Sequence, residues 1–217
     1  MAIKRRAFTL VEMLTVAALI GVVLYLVGQL LVPSALLFKV GWASSEVQQT
    51  ATAFSHRVHR QLLNTQLETV TIGPNRDSIA FMEEDPSNPF DPSTGAPRVT
   101  DHFTVYYYDA TARTVVSRRW PPAPPTLTGY DFTLSKPPRL TLADLQAVCT
   151  ERGSSDRVVA RNVESLVFTD EDDDPVAYLN PPLSFSIRCV REASGAGTSR
   201  RADYTLTTRV QPRSVRW

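Results

Sequence analysis

RRAFTLVEML, residues 5–14, places two arginines directly before an apolar stretch and a glutamate, Glu12, inside it. The residues that follow, 13–38, read MLTVAALIGVVLYLVGQLLVPSALLF and contain no charged side chain. About 20 apolar residues are enough for a helix to span a bilayer, so this run is long enough. Because an ionised carboxylate is unfavourable in a membrane helix, Glu12 requires a specific explanation.

The charges that flank the apolar run predict its orientation in a membrane. Lys4, Arg5 and Arg6 precede it, and Lys39 follows it. Because basic residues favour the cytoplasmic side, we expect a single membrane pass with the N-terminus in the cytoplasm and everything after Lys39 outside it. The alternative is a cleaved secretory signal peptide, with Gly41 and Ala43 at the cleavage site. Such peptides have an apolar region of about 7–15 residues, and this run is longer.

A second pattern predicts that the helix continues beyond the membrane. Apolar residues recur at steps of three and four, which places them on one helical stripe. We expect one helix from about Phe8 to Leu67, with a bend or local melting at Pro33 because proline removes a backbone hydrogen bond. The stripe consists of Val47, Ala51, Phe54, Val58 and Leu62.

After residue 68 the apolar period changes to two, which is typical of strands. The chain therefore predicts an α+β fold: a long N-terminal helix packed on a mostly antiparallel sheet. A short helix is expected over 140–150, with Thr141 as its N-cap and Asp144 in its first turn. The predicted strands are 68–73, 77–83, 98–109, 112–120, 163–170, 183–191 and 202–211, with a turn at 192–200.

Composition and motifs argue against several classes of function. The net charge of +1 gives no reason to expect nucleic acid as a partner. The chain has no G-x-S-x-G, P-loop or H-E-x-x-H motif, so we predict that it is not an enzyme. His56 and His59 have a spacing that can bind metal, but Arg57 and Arg60 lie beside them and favour a solvated helix face.

Cys149 and Cys189 are the two cysteines. The predicted orientation places both outside the cytoplasm, where disulfides form, so we expect a bridge between them. The alternative is two buried thiols that lie too far apart to bond.

The N-terminal segment RRAFTLVEMLTVAALIGVV resembles the class III signal of type IV pilins and of type II secretion pseudopilins. In that family a basic leader precedes a phenylalanine, a threonine, two aliphatic residues, a glutamate and an apolar helix with a glycine. The likeness covers about thirty residues. Two later pieces, 158–168 and 204–214, resemble more weakly the tails of W-type minor pilins and J-type pseudopilins. The matching positions are Phe8, Thr9, Leu10, Val11, Glu12 and Gly21.

The resemblance implies a type IV pilin fold, a single pass through the bacterial inner membrane with a periplasmic head, and a division of the chain. Residues 1–7 would be a leader, 8–38 the membrane and filament-core helix, 39–68 an amphipathic outer helix and 69–217 a β-rich periplasmic head. Prepilin peptidase would cleave between Ala7 and Phe8, and Phe8 would be N-methylated. Ala7 stands where the family has glycine. Thr9, Gly21 and Pro33 join Glu12 as expected assembly positions.

This processing also explains Glu12. Cleavage creates a free amine on Phe8, and the amine of a neighbouring subunit can pair with the carboxylate. A carboxylate at the centre of a membrane helix costs about 2.5–3.5 kcal/mol, and a cation about 4 Å away offsets about 4 kcal/mol. Glu12 would then favour association over isolation in lipid. The alternative places Glu12 at headgroup level without a role.

The acidic run DEDDDP, residues 170–175, is the one candidate for a cofactor. Asp170, Asp172 and Asp174 alternate, and calcium prefers such oxygen ligands. The run lacks the glycine and distal glutamate of an EF-hand loop. Some pseudopilins bind calcium in their heads, whereas the alternative is a solvated acidic loop.

The expected function is that of a minor pilin, a low-copy subunit that primes or caps a type IV pilus. Its expected partners are other minor pilins, the major pilin, prepilin peptidase and a large tip adhesin. The alternatives are a J-type pseudopilin of type II secretion, a tip-binding module and a membrane-anchored enzyme. A binding module predicts a solvent-facing aromatic cluster, for which VYYYD, residues 105–109, is the candidate.

Overall fold

The computed structural model describes residues 9–87, 90, 92, 98–121, 138–151, 153, 156–172, 179–195 and 198–213. The fold is α+β, with one long N-terminal helix packed on antiparallel sheets. The described elements are helices α1 (Leu10–Leu63) and α2 (Leu142–Thr150), a 3₁₀ turn (Leu67–Thr69), and strands β1 (Thr71–Ile72), β2 (Ser78–Phe81), β3 (Phe103–Asp109), β4 (Thr114–Trp120), β5 (Arg157–Arg161), β6 (Val163–Thr169), β7 (Leu183–Gly195) and β8 (Thr198–Val210).

Helix α1 begins after the N-cap Thr9 and ends at Leu63, four residues earlier than expected at its C-terminus. The expected melting at Pro33 does not occur, because the helix is continuous through this residue. The hydroxyl of Ser34 donates to the carbonyl of Leu30 at 2.7 Å, within the turn that contains the proline. Pro33 is therefore accommodated in one uninterrupted helix.

The predicted apolar stripe on the outer half of α1 is confirmed. Its residues are at most 1% exposed, and they pack mainly against β7 and β8. Phe54 lies at the centre, with its ring edge-on to Tyr106 at 5.8 Å and to Phe185 at 6.1 Å between centroids. Burying a large aromatic ring is among the strongest contributions to a core, so the outer half of α1 is part of the head.

The strands form two sheets rather than the one expected. β1 to β5 pair in sequence order, and β6, β7 and β8 form a second sheet; every pairing within these two sheets is antiparallel. Asn162 lies between the sheets with a φ of 59°, a left-handed conformation that asparagine tolerates better than most residues. This residue turns the chain from β5 into β6. β5 was not among the strands predicted from the sequence, because buried and exposed residues do not alternate along it. Val158, for example, is exposed.

The five-stranded sheet is covered on both faces. Alternate residues of β2, together with Met82, which follows it, divide between two hydrophobic clusters. Ile79 and Phe81 face the cluster that contains the α1 stripe, whereas Ala80 and Met82 face the cluster that contains α2. This is the two-residue period of a strand, with both sides apolar. Helix α2 begins at the N-cap Thr141, as predicted, and Asp144 is in its first turn.

The last two strands form a hairpin that is longer than expected. The predicted turn at 192–200 is mostly strand, since β7 extends to Gly195 and β8 starts at Thr198. The ladder pairs Gly195 with Thr198, so the connection is short. Because of the added length, the end of the hairpin reaches the helix beside Leu36 and Val40, where Ala193 and Arg200 line a cleft against α1.

Candidate functional site

The start of α1 is a capping box formed by Thr9 and Glu12. The backbone N–H of Thr9 donates to Oε2 of Glu12 at 2.8 Å, and its hydroxyl is 3.1 Å from the same oxygen. In return, the N–H of Glu12 donates to Oγ1 of Thr9 at 3.3 Å. This arrangement satisfies helix N–H groups and places a carboxylate at the positive end of the helix dipole. Glu12 therefore has a partner inside its own chain.

The capping box adjoins an apolar surface that the head leaves uncovered. Large side chains along this half of α1 are about half to four-fifths exposed, for example Leu10 at 79% and Leu24 at 64%. α1 is the one described helix that is long and apolar enough to cross a membrane. Exposed apolar area of this extent is unfavourable in water, so this half needs a lipid or protein environment.

Gly21 lies on the exposed surface of α1. Within the described chain, no atom outside its own helical backbone lies within 4 Å of the position that a Cβ would take. Packing within the chain therefore does not require a glycine here. Small residues on apolar helices allow a second helix to approach closely, which is compatible with the assembly position that the sequence predicts.

Two predicted processing residues, Ala7 and Phe8, lie outside the described residues. Cleavage and methylation therefore stay predictions. The described chain begins at Thr9, and the structure brings together Thr9 and Glu12 only. Pro33 lies more than five helical turns away from them, about 30 Å at 1.5 Å per residue.

The predicted disulfide is wrong. Cys149 and Cys189 are both free. Cys189 is buried in the cluster around the α1 stripe, whereas Cys149 packs against the α2 cluster on the other face of the five-stranded sheet. The two thiols therefore belong to different clusters, on opposite faces of that sheet. Burial raises the pKa of each thiol to about 11, which keeps both protonated and unreactive at neutral pH.

The acidic loop after β6 is organised by an asparagine. Asp170 is 7% exposed and accepts a hydrogen bond from the N–H of Asn180 at 3.2 Å. The side-chain amide of Asn180 also donates to Asp172. Asp174 lies outside the described residues, so calcium binding stays a prediction. Within the described ranges, no group of three or more His, Cys, Asp or Glu side chains is placed to hold a metal ion.

The candidate aromatic binding cluster at residues 105–109 is largely buried. Tyr106 is 0% and Tyr107 8% exposed, and Tyr108 is half-buried. The hydroxyl of Tyr106 donates to Oε1 of Gln61 at 2.5 Å, which links β3 to α1. These side chains belong to the core, and they offer no aromatic surface for a ligand.

The sequence analysis did not predict an ion pair between Arg118, which is buried, and Asp156, which is partly exposed. Arg118 is 4% exposed and donates to Asp156, with 2.8 Å between Nη2 and Oδ2, and it also donates to the carbonyl of Val148 in α2. Its guanidinium lies 5.4 Å from the centre of the Tyr107 ring. The hydrogen bond from Arg118 lowers the pKa of the Asp156 carboxyl below its ordinary value. This network attaches α2 and residue 156 to β4.

Arg118 is buried because the face of β4 on which it lies is covered by α2. The pairing of β4 with β5 shifts beside Val115 and Val116, where the extra residue is Val159 of β5, whereas β4 pairs with β3 without a shift. Val115 faces the α1 cluster and Val116 the α2 cluster, so the alternate residue Arg118 also faces α2. The sequence of β4 alone does not show that a distant helix covers this face, so the burial of Arg118 could not be predicted from it.

The histidines do not form a site. His56 is exposed and His59 half-buried on α1, and neither belongs to a metal-binding group among the described residues. His102 precedes β3, and its ring lies 2.9 Å from the carboxylate of Asp101. This hydrogen bond lowers the pKa of Asp101.

Comparison with known proteins yields no relative: the chain matches no protein-family model, no curated protein and no solved structure. The capping box and the uncovered apolar helix are therefore the features from which a function can be argued.

Proposed function

We propose that this chain is a minor pilin, a low-copy subunit that primes or caps a type IV pilus from the inner membrane. The observation that carries the proposal is the Thr9–Glu12 capping box at the start of an uncovered apolar helix, in the sequence context that resembles a prepilin signal. The division of α1 supports it: the inner half is exposed, and the outer half is built into the head.

The proposed assembly step is the exchange of one partner of Glu12 for another. In the single chain the carboxylate accepts hydrogen bonds from Thr9. After cleavage, the terminal amine of Phe8 on a neighbouring subunit offers a full positive charge, which at about 4 Å contributes about 4 kcal/mol at an effective dielectric of 20. Apolar contact along α1 then buries the surface around Gly21.

The head supports a role at a limited number of positions. Strands of its two sheets pack against the outer half of α1, while residues 10–42 of the helix stay mostly exposed. In this proposal the helix inserts among those of the major pilin, and the head contacts other minor pilins and a large tip adhesin.

Mass spectrometry of the mature N-terminus tests the proposal. The protein is isolated from inner membranes of its own host with prepilin peptidase intact and, as the matched control, deleted. We expect a chain that starts at methylated Phe8 in the first case and retains residues 1–7 in the second. A mature chain that starts near Ser44, or one that keeps the leader in both cases, would overturn the proposal.

A further inference from the structure

The strongest feature outside the proposed assembly site is a cleft between α1 and the end of the β7–β8 hairpin. Its volume is about 190 Å³. Apolar side chains form most of its walls, and two basic residues complete it. Its lining consists of Pro33, Leu36, Leu37, Lys39, Val40, Ala193 and Arg200.

The position of this cleft along α1 corresponds to the membrane surface. The uncharged run 13–38 is about 39 Å long at 1.5 Å per residue, longer than a hydrocarbon core of about 30 Å. If Glu12 lies at one surface, residues 33–40 lie at the other. Trp42 is 77% exposed just there, as expected for an amphipathic aromatic side chain at the headgroup level.

Both basic residues of the cleft lack a partner in the described chain. Lys39 and Arg200 form no ion pair there, and both are exposed. The other hairpin arginines nearby are paired: Arg188 with Asp203, Arg191 with Glu46, and Arg201 with Glu164. Both charges at the cleft are therefore free to meet an anion from outside the chain.

The register of β8 directs Arg200 toward the helix. Ala202, Tyr204 and Leu206 occupy alternate positions of the strand and belong to, or pack against, the α1 cluster. Arg200 is the next position in this series, so it lies over α1 rather than on the outer face. Lys39 approaches from the helix side, and the cleft lies between the two cations and the apolar walls.

We propose that this cleft binds one anionic phospholipid of the periplasmic leaflet, with its phosphate between Lys39 and Arg200 and the start of an acyl chain along Leu36 and Val40. The two cations favour an anionic ligand, and the apolar walls favour a ligand that also carries a hydrocarbon chain. The inference rests on the membrane insertion of α1 in the proposed function. The bound lipid would hold the head close to the membrane before assembly.

The test uses the full chain in nanodiscs of phosphatidylglycerol and phosphatidylcholine, mixed equally and with identical acyl chains. Insertion is measured first, by resistance to alkaline extraction. Native mass spectrometry after release into detergent then counts the lipids that stay bound. The variants are Lys39→Gln, Arg200→Gln and their combination. Arg209→Gln is the matched control, because it removes an exposed charge from the outward side of the same strand.

We expect wild type and Arg209→Gln to retain one phosphatidylglycerol. The double variant should lose its preference for that lipid roughly tenfold or more, as neutralising two basic residues at an anionic surface implies. Ala193→Leu, which fills the cleft and keeps both charges, should also release the lipid. Inorganic phosphate at millimolar concentration should not displace it.

Three results would overturn the inference while leaving the proposed function intact. The first is that inserted wild type retains phosphatidylglycerol and phosphatidylcholine equally. The second is that inorganic phosphate displaces the bound lipid. The third is a dimer mass without lipid, which would mean that a second copy of the chain occupies the cleft. A chain that is fully removed by alkaline extraction would overturn the membrane insertion itself, and with it the proposed function.

Discussion

Glu12 has two candidate roles, and they require different chemical groups. As part of the capping box it accepts hydrogen bonds from Thr9, which stabilises the first turn of α1. As an assembly residue it would pair with the terminal amine of another subunit. The first role needs the hydroxyl of Thr9, whereas the second needs only the charge of Glu12.

We therefore predict different outcomes for two substitutions. Glu12→Ala removes about 4 kcal/mol of attraction between subunits and relieves about 3 kcal/mol of burial cost, so the chain should insert and be cleaved but be depleted from sheared filaments. Thr9→Ala weakens only the cap, by about 1 kcal/mol, and should assemble nearly as wild type. Glu12→Gln should fall between them.

The measurement is the ratio of the protein in the filament and membrane fractions for each variant. An unchanged ratio for Glu12→Ala would mean that contacts of the head recruit the subunit. Equal depletion of both alanine variants would mean that the cap, rather than the charge, is what assembly requires.

Arg118 and Asp156 allow a prediction about pH. The folded-state pKa of Asp156 is lowered, chiefly by the hydrogen bond from Arg118, below an ordinary value of 3.8. The pair therefore stabilises the fold above the unfolded-state pKa, and the stabilisation disappears as the pH falls through the lower folded-state pKa. Asp156→Asn should lower the free energy of unfolding at pH 7 by roughly 3 kcal/mol, because it leaves a buried guanidinium without its anion.

The measurement is unfolding of the full chain by guanidinium in detergent, monitored by tryptophan fluorescence at several pH values between 7 and 3. The difference in the free energy of unfolding between wild type and Asp156→Asn should become smaller towards pH 3. Asp203→Asn is the control: Asp203 also pairs with an arginine, Arg188, but both side chains are more than a third exposed. A control variant as unstable as Asp156→Asn would contradict the argument from burial.

At the scale of elements, α1 has two different environments in one continuous helix. Its apolar half is exposed, and its outer half presents a stripe to β7 and β8. Two adjacent leucines at its C-terminal end show the contrast: Leu62 is 0% exposed and Leu63 is 41% exposed. Because both are leucines, they have the same size and the same helix propensity. A difference in stability between their alanine variants therefore measures the contribution of packing.

Leu62→Ala should destabilise the head by about 2–5 kcal/mol, the range for truncating a buried leucine. Leu63→Ala should change the free energy of unfolding by less than about 1 kcal/mol, since little apolar area is lost. Chemical unfolding of both variants in the same detergent measures the difference. Similar values for the two would mean that the outer half of α1 does not pack on the sheets as described.

At the scale of the whole molecule, the head contains its own core. The buried stripe starts at Ala43, and the membrane-length run ends before it. The two sheets, α2 and residues 43–63 of α1 then bury one another without contributions from residues 10–38. Connected cores of this kind are what allow a domain to fold alone.

We predict that the fragment 40–217 is soluble, monomeric and cooperatively folded. Circular dichroism and a single unfolding transition, together with light scattering, measure this. A fragment that starts at residue 56 lacks Val47, Ala51 and Phe54 and should aggregate, because the sheet surface that they cover becomes exposed. An unfolded 40–217 fragment would contradict the packing described here.

Local patterns in the sequence determined the parts of this fold that depend on neighbours along the chain. The uncharged run, the stripe from Val47 to Leu62, the N-cap Thr141 and most strands follow from helical or alternating periods, which need no knowledge of distant residues. Tertiary structure decided the rest. Four features depend on which distant elements pack together and in which register: the burial of Arg118 under α2, the turn at Asn162 that divides the sheets, the separation of Cys149 from Cys189, and the cleft beside Lys39. A one-residue shift in register moves a side chain to the opposite face of a sheet, and contacts between distant strands select that register.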